Sequence, residues 1–175
     1  MKNYPENECS CEKCASMCEH RPCWGTPNDV EKMMAQEPDL AKRLQEDYWV
    51  STPDDIRVPS PAVKGYEGRR APLFPQGVCT FLENGLCTLH DKGLKPLEGR
   101  VATCKKGAKI TKMHEEMRAD IVQSWNTPEG KATLAKWRRL VGIDKDAGAP
   151  PTGLEMLMEL GRMVSQIKTD KILDK

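Results

Sequence analysis

Eight cysteines, at positions 9, 11, 14, 18, 23, 79, 87 and 104, restrict this chain more than any other feature. Five crowd into the first 25 residues and three lie near the middle. The N-terminus is polar and acidic, with no apolar run after Met1, which reads as a chain without a secretory leader. The expected compartment is therefore the cytoplasm, where thiols stay reduced. Eight reduced cysteines point to metal binding rather than to disulfides.

The apolar content gives a second reason to expect metal. Leu, Ile, Val and Phe make up only 31 of 175 residues. With a large net charge such a share would suggest disorder, but the formal net charge is +1. A single domain with a thin core is the remaining reading, and metal ligation can supply the missing stability. No stretch approaches the ~20 apolar residues that span a bilayer. Residues 92–118 carry eight basic and three acidic side chains, and residues 1–40 carry four basic and eight acidic. Overall neutrality nevertheless argues against a dedicated nucleic-acid binder.

Along the chain, residues 1–25 have no helical or strand period and read as a ligand loop. Thr26-Pro27-Asn28-Asp29 is a helix start: Thr26 caps, Pro27 suits the first position, and Asp29 favours the positive helix end. A second helix is predicted from Pro38 to about Tyr48, with Leu40, Ala41 and Leu44 inward. Residues 51–77 are rich in Pro, Gly and Arg and read as an irregular connection, with a helical turn near Pro53. Ile110, Met113, Met117, Ile121, Val122 and Trp125 fit one face of a later helix. Thr127-Pro128-Glu129 starts another, with Leu134, Trp137, Leu140 and Val141 inward and Gly142 as its stop. Residues 144–151 form a linker, and Thr152 with Glu155 suggests a capping box for a terminal helix over 152–175.

Between these helical parts, two β-prone runs flank Glu83-Asn84-Gly85, a hairpin signal. A two-residue Asn84-Gly85 loop would pair Leu82 with Cys87 and put Cys79 and Cys87 on opposite faces. A three-residue loop would pair Phe81 with Cys87 and put both cysteines on one face. If both bind metal, the second register is the expected one.

The ordered series Cys11-Glu-Lys-Cys14, Cys18, Cys23, Thr26-Pro27-Asn28-Asp29, Cys79-Thr-Phe81-Leu82, Gly85-Leu-Cys87-Thr-Leu-His90, Lys95-Pro96 and Cys104 resembles a known family. It is similar to the CxxCxxCC zinc- or iron-chelating domain, the YkgJ-like cysteine-cluster proteins, over roughly residues 9–106. The family's adjacent Cys-Cys pair is here spread into Cys18 and Cys23. The final cysteine also follows Lys95-Pro96 at a longer spacing than the family's. The resemblance implies Cys11, Cys14, Cys18, Cys23, Cys79, Cys87 and Cys104 as metal ligands, and it implies no particular reaction.

All-thiolate surroundings suit zinc and iron–sulfur clusters alike. Only one short C-x2-C knuckle is present, and the later gaps are long. A cluster can take one thiolate from each of several distant segments, so the spacing favours [4Fe–4S] over zinc. His20 and His90 lie beside cysteines but read as surface or supporting residues, and His114 reads as exposed. The expected architecture is α+β and mostly helical, with a Cys-rich loop and a small hairpin packed on helices around a metal site. Its domain covers residues 1–143. The expected role is an accessory or binding module; the Met-rich terminal helix (Met156, Met158, Met163) reads first as ordinary core packing, with a surface for an unknown protein partner as the alternative. The alternatives are an iron–sulfur-dependent redox or modification enzyme, and a metal protein that contacts nucleic acid.

Overall fold

The computed structural model describes residues 2–7, 12–50, 55–72 and 75–143. The chain divides into two compact units, Met1–Lys145 and Asp146–Lys175, and the described residues belong to the first. The expected linker at 144–151, the terminal helix over 152–175 and the turn near Pro53 lie outside the described residues.

The first unit is α+β. Short helices α1 (Glu12–Ala15) and α2 (Met17–His20) carry Cys14 and Cys18, followed by α3 (Pro27–Gln36) and α4 (Pro38–Ala41). Strands β1 (Leu44–Val50) and β2 (Asp55–Pro61) then form an antiparallel pair with Leu44 opposite Pro61 and Val50 opposite Asp55. A small hairpin, β3 (Leu82–Glu83) and β4 (Leu86–Cys87), precedes α5 (Leu97–Val101), α6 (Ala108–Trp125) and α7 (Pro128–Val141).

The helix starts follow the sequence. Thr26 accepts from the Asp29 amide at 3.2 Å, and Asp29 accepts from the Thr26 amide at 2.8 Å, which closes a capping box. Thr127 caps α7 by accepting from the Gly130 amide, and Gly142 ends that helix at φ 75°. Met117, Ile121, Val122 and Trp125 of α6 are buried, as is Trp137 of α7. They form one core with Met33, Leu44, Phe81 and Leu89.

The predicted helix over Pro38–Tyr48 is corrected. It stops at Ala41, and the chain is already in β1 at Leu44. The cause is a set of buried polar groups that a helix face could not satisfy. Gln45, Glu46 and Asp47 are all under 5% exposed. Gln45 Oε1 accepts from the Val63 amide at 2.7 Å, and Asp47 accepts from Trp24 Nε1, Gln45 Nε2 and Ser60 Oγ. Glu46 takes a two-pronged contact from Arg138, at 2.7 and 2.9 Å, with Arg70 at 3.3 Å and Arg57 at 3.6 Å. The region expected to be irregular therefore contains β2. It also contains the segment at Gly68–Ala71, which bonds to the backbone of Leu44 and Glu46. Each of these buried carboxylates is tolerable only because its acceptors are occupied.

The preferred hairpin register is also corrected. Leu82 pairs with Cys87 and Glu83 with Leu86 around a two-residue loop. Asn84 at φ 51° and Gly85 at φ 76° adopt the left-handed conformations that a tight primed turn requires.

Candidate functional site

Backbone bonds, rather than strand alternation, bring the two cysteine groups together. The Leu82 amide bonds back to the Cys79 carbonyl, so the chain turns before the hairpin begins. Cys79 is therefore not bound by the hairpin's alternation. It sits instead in a short antiparallel bridge opposite Val63. On its other side the Cys79 amide donates to the Cys18 carbonyl at 2.8 Å, and the Gly77 amide donates to the His20 carbonyl at 2.9 Å. This zipper fixes Cys79 beside the N-terminal cysteine segment.

A second tether runs from that segment to α5. Glu98 accepts from the Trp24 amide at 2.7 Å, and its own amide donates to the Trp24 carbonyl at 3.0 Å. Cys23 is thereby held against α5. Gly99 is required there, because a Cβ at that position would lie 2.9 Å from Cys23 Sγ. The α5 segment is held in turn by Asp29 of α3, which accepts from the Leu97 amide and from Arg100 Nη1.

The result is a group of thiols that interact electrostatically: Cys18, Cys23, Cys79 and Cys87. Burial pushes the Cys79 thiol up to about 12, with neighbouring Cys18 and Cys87 adding to the rise. Burial likewise pushes Cys23 well above its ordinary value, with Cys18, Cys79, Glu98 and Cys87 adding to it. Burial raises Cys18 too; Cys87 and Glu98 add to the rise and Lys95 opposes it. With their pKa values raised, Cys18, Cys23 and Cys79 keep their protons at neutral pH.

Cys14, Cys18 and Cys23 also line a cavity of about 230 Å³. Its other walls include Met17, Arg21, Lys95, Glu98, His114 and Arg118. Cys14 Sγ accepts a 3.7 Å contact from Asn7 Nδ2. Glu98 takes charge-assisted bonds from Arg21 Nη2 at 2.6 Å and Arg118 Nε at 2.7 Å. Cys18 and Cys23 thus form a shared wall, with the cavity on one side and the thiols of Cys79 and Cys87 grouped with them.

Cys11, one of the ligands the resemblance implies, lies outside the described residues. Cys104 is half-buried in the segment between α5 and α6. His20 and His90 are exposed, as expected. His114 is a correction: it is half-buried, and its Nε2 is enclosed without a hydrogen-bond partner among the described residues. Trp24, Glu98 and Gly99 were not singled out as a scaffold by spacing alone.

Among the described residues, no three Cys, His, Asp or Glu side chains converge closely enough to hold one metal ion. Among the same residues, no helix is long and apolar enough to cross a membrane. No family model, curated protein or solved structure matches the chain. The likeness to the cysteine-cluster proteins accordingly stands on the motif residues themselves.

Proposed function

We propose that this chain is a cytoplasmic cysteine-cluster metal protein of the YkgJ-like type. In this reading Cys18, Cys23, Cys79 and Cys87 hold the metal centre, and Cys11, Cys14 and Cys104 are further thiols available to it. The observation that carries the reading is the electrostatic grouping of four thiols from three chain segments. Thiols gathered from separate segments by backbone pairing are the donor set a thiophilic metal takes, and ligation can supply stability that a thin core lacks.

The donor set fits an iron–sulfur cluster better than a single zinc ion. Zinc sites are commonly built from paired short knuckles, and this chain has one, Cys11–Cys14. A cubane has four iron corners, so widely separated segments can each supply one thiolate. When bound, such a cluster supplies one-electron chemistry or a structural clasp. The chain's own part is to present the thiols and give up their protons on loading. Glu98, Arg21 and Arg118 brace the wall that Cys18 and Cys23 form.

Anaerobic purification followed by iron, zinc and sulfide analysis tests this directly. The expected sample is brown, absorbs near ~400 nm, and carries iron and acid-labile sulfide in about equal amounts. A colourless protein with stoichiometric zinc and no sulfide would support a structural zinc site. A metal-free protein from iron- and zinc-replete cells would overturn both.

A second reading, an iron–sulfur-dependent enzyme, draws support from the cavity against the Cys18–Cys23 wall. An accessory module has no need of a pocket there, whereas a reacting centre does.

A further inference from the structure

We propose that the cavity bordered by Cys14, Cys18 and Cys23 is a binding site for a small organic carboxylate, anchored by Lys95 and Arg118 and met by His114 Nε2. The argument begins with charge. Three cations, Arg21, Lys95 and Arg118, face the cavity against the one carboxylate of Glu98. Glu98 uses only Nη2 of Arg21 and Nε of Arg118, which leaves the terminal nitrogens of Arg118 without a partner among the described residues. Lys95 Nζ has none either, although Lys95 lies close enough to Cys18 to oppose the rise in its pKa. An excess of unspent cationic donors on a concave wall is what an anion requires.

The second observation is His114. Its Nε2 is enclosed with no hydrogen-bond partner among the described residues, and the residue lines this same cavity. A buried polar atom is normally satisfied, so an orphan on a residue of the cavity wall marks that wall as one where a polar ligand group belongs. The third is the apolar share of the wall, from Met17, Pro22, Gly99 and Ala102. Inorganic phosphate would waste that surface, whereas an organic acid places its carbon body there and its carboxylate on Lys95 and Arg118. A volume of about 230 Å³ suits a ligand of a few carbons.

The proposal goes beyond the metal reading and needs no metal at the thiols, since none of the three anchoring side chains is a cysteine. Arg118 and Lys95 could otherwise serve only as counter-charge for a thiolate centre, and the test separates the two roles. The full-length protein, metal-free and metal-loaded, is titrated with butyrate, butyramide and inorganic phosphate by calorimetry, with the imidazole resonances followed by NMR. The expected result is saturable butyrate binding in both forms, with the His114 ring signals shifting. Butyramide should bind about tenfold more weakly, the loss of one charge-assisted contact. Lys95→Met should weaken butyrate by about tenfold and Lys95→Arg should restore most of it. Among the described residues Lys95 makes no side-chain hydrogen bond or ion pair, so Lys95→Met should fold normally, which equal melting temperatures would check. Equal binding of butyrate and butyramide, phosphate binding as tightly as butyrate, or no binding by either form would overturn the proposal. So would butyrate binding confined to the metal-free form, which would assign Lys95 and Arg118 to the thiolate centre. Failure of the metal reading alone would leave butyrate binding to the metal-free protein intact.

Discussion

Replacing Glu98 with glutamine tests the scaffold and the thiols together. The Glu98 side chain is 7% exposed and accepts from Arg21, Arg118 and the Trp24 amide. Glutamine keeps the shape but has one acceptor oxygen, and its amide group must face a guanidinium donor. Breaking a buried ion pair costs about 3–5 kcal/mol when the stranded charge stays buried. Arg21 and Arg118 are 38% and 37% exposed, so both can turn to water and recover part of that. The expected loss is about 2–3 kcal/mol, a fall in Tm of ~5–10 °C for a domain of this size. The thiols should respond in a definite direction. Glu98 adds to the raised pKa of both Cys18 and Cys23, so its neutralisation lowers both. In the metal-free variant, thiol alkylation followed against pH should shift its midpoint to lower pH, measured below the unfolding temperature. A melting curve within ~1 °C of the parent, or an unmoved alkylation midpoint, would refute the reasoning that Glu98 both braces this wall and repels its thiolates.

Three further outcomes follow from the same geometry. Gly99→Ala places a Cβ 2.9 Å from Cys23 Sγ, so metal retention against a competing chelator should fall by on the order of tenfold while the far-UV circular dichroism is unchanged. Metal-free protein should lose stability as pH rises from its thiols' ordinary 9.0 towards about 12. Over that window the unfolded chain releases the proton that folded Cys79 retains, contributing up to ~1.4 kcal/mol per pH unit in urea titrations, and the raised Cys18 and Cys23 act in the same direction; a flat profile would contradict the burial of these thiols. Arg138→Met removes the two-pronged contact to fully buried Glu46 but leaves Arg57 and Arg70 beside it. The expected cost is about 2–3 kcal/mol by chemical denaturation, and an unchanged midpoint would show that Arg57 and Arg70 suffice.

The starts of α3 and α7 and the end of α7 were readable because their causes are local, whereas the short α1 and α2 within the expected ligand loop and the end of α4 at Ala41 were not. Thr26, Asp29, Thr127 and Gly142 act within one turn of their own positions, so a single sequence contains the whole argument. The β1–β2 pair was not readable for the opposite reason. Gln45-Glu46-Asp47 looks like an exposed helical stretch until Arg57, Arg70, Arg138, Trp24 and Ser60 arrive from elsewhere in the chain. Three consecutive buried polar residues defeat any pattern built on apolar periodicity. His114 belongs to the same class, because its burial depends on α6 lying beside α5 and the Cys23 segment.

The hairpin shows how the grouping of cysteines survived an incorrect expectation about register. The sequence argument required Cys79 and Cys87 to share a strand face, and so chose the longer loop. The structure adopts the two-residue turn that Asn84-Gly85 favours intrinsically, and it still groups the two thiols. It does so because β3 and β4 are only two residues long, and alternation cannot propagate to a residue that is not in the strand. Cys79 is positioned by the Cys18 carbonyl on one side and the Val63 bridge on the other, both independent of the hairpin. The thiol group is thus specified by backbone pairing between distant segments. A serine at position 79 would keep that pairing and remove only the sulfur. Cys79→Ser should accordingly leave the fold intact in the metal-free protein while weakening metal retention. Joint loss of fold and metal would show that the thiol itself, and not the backbone zipper, holds these segments together.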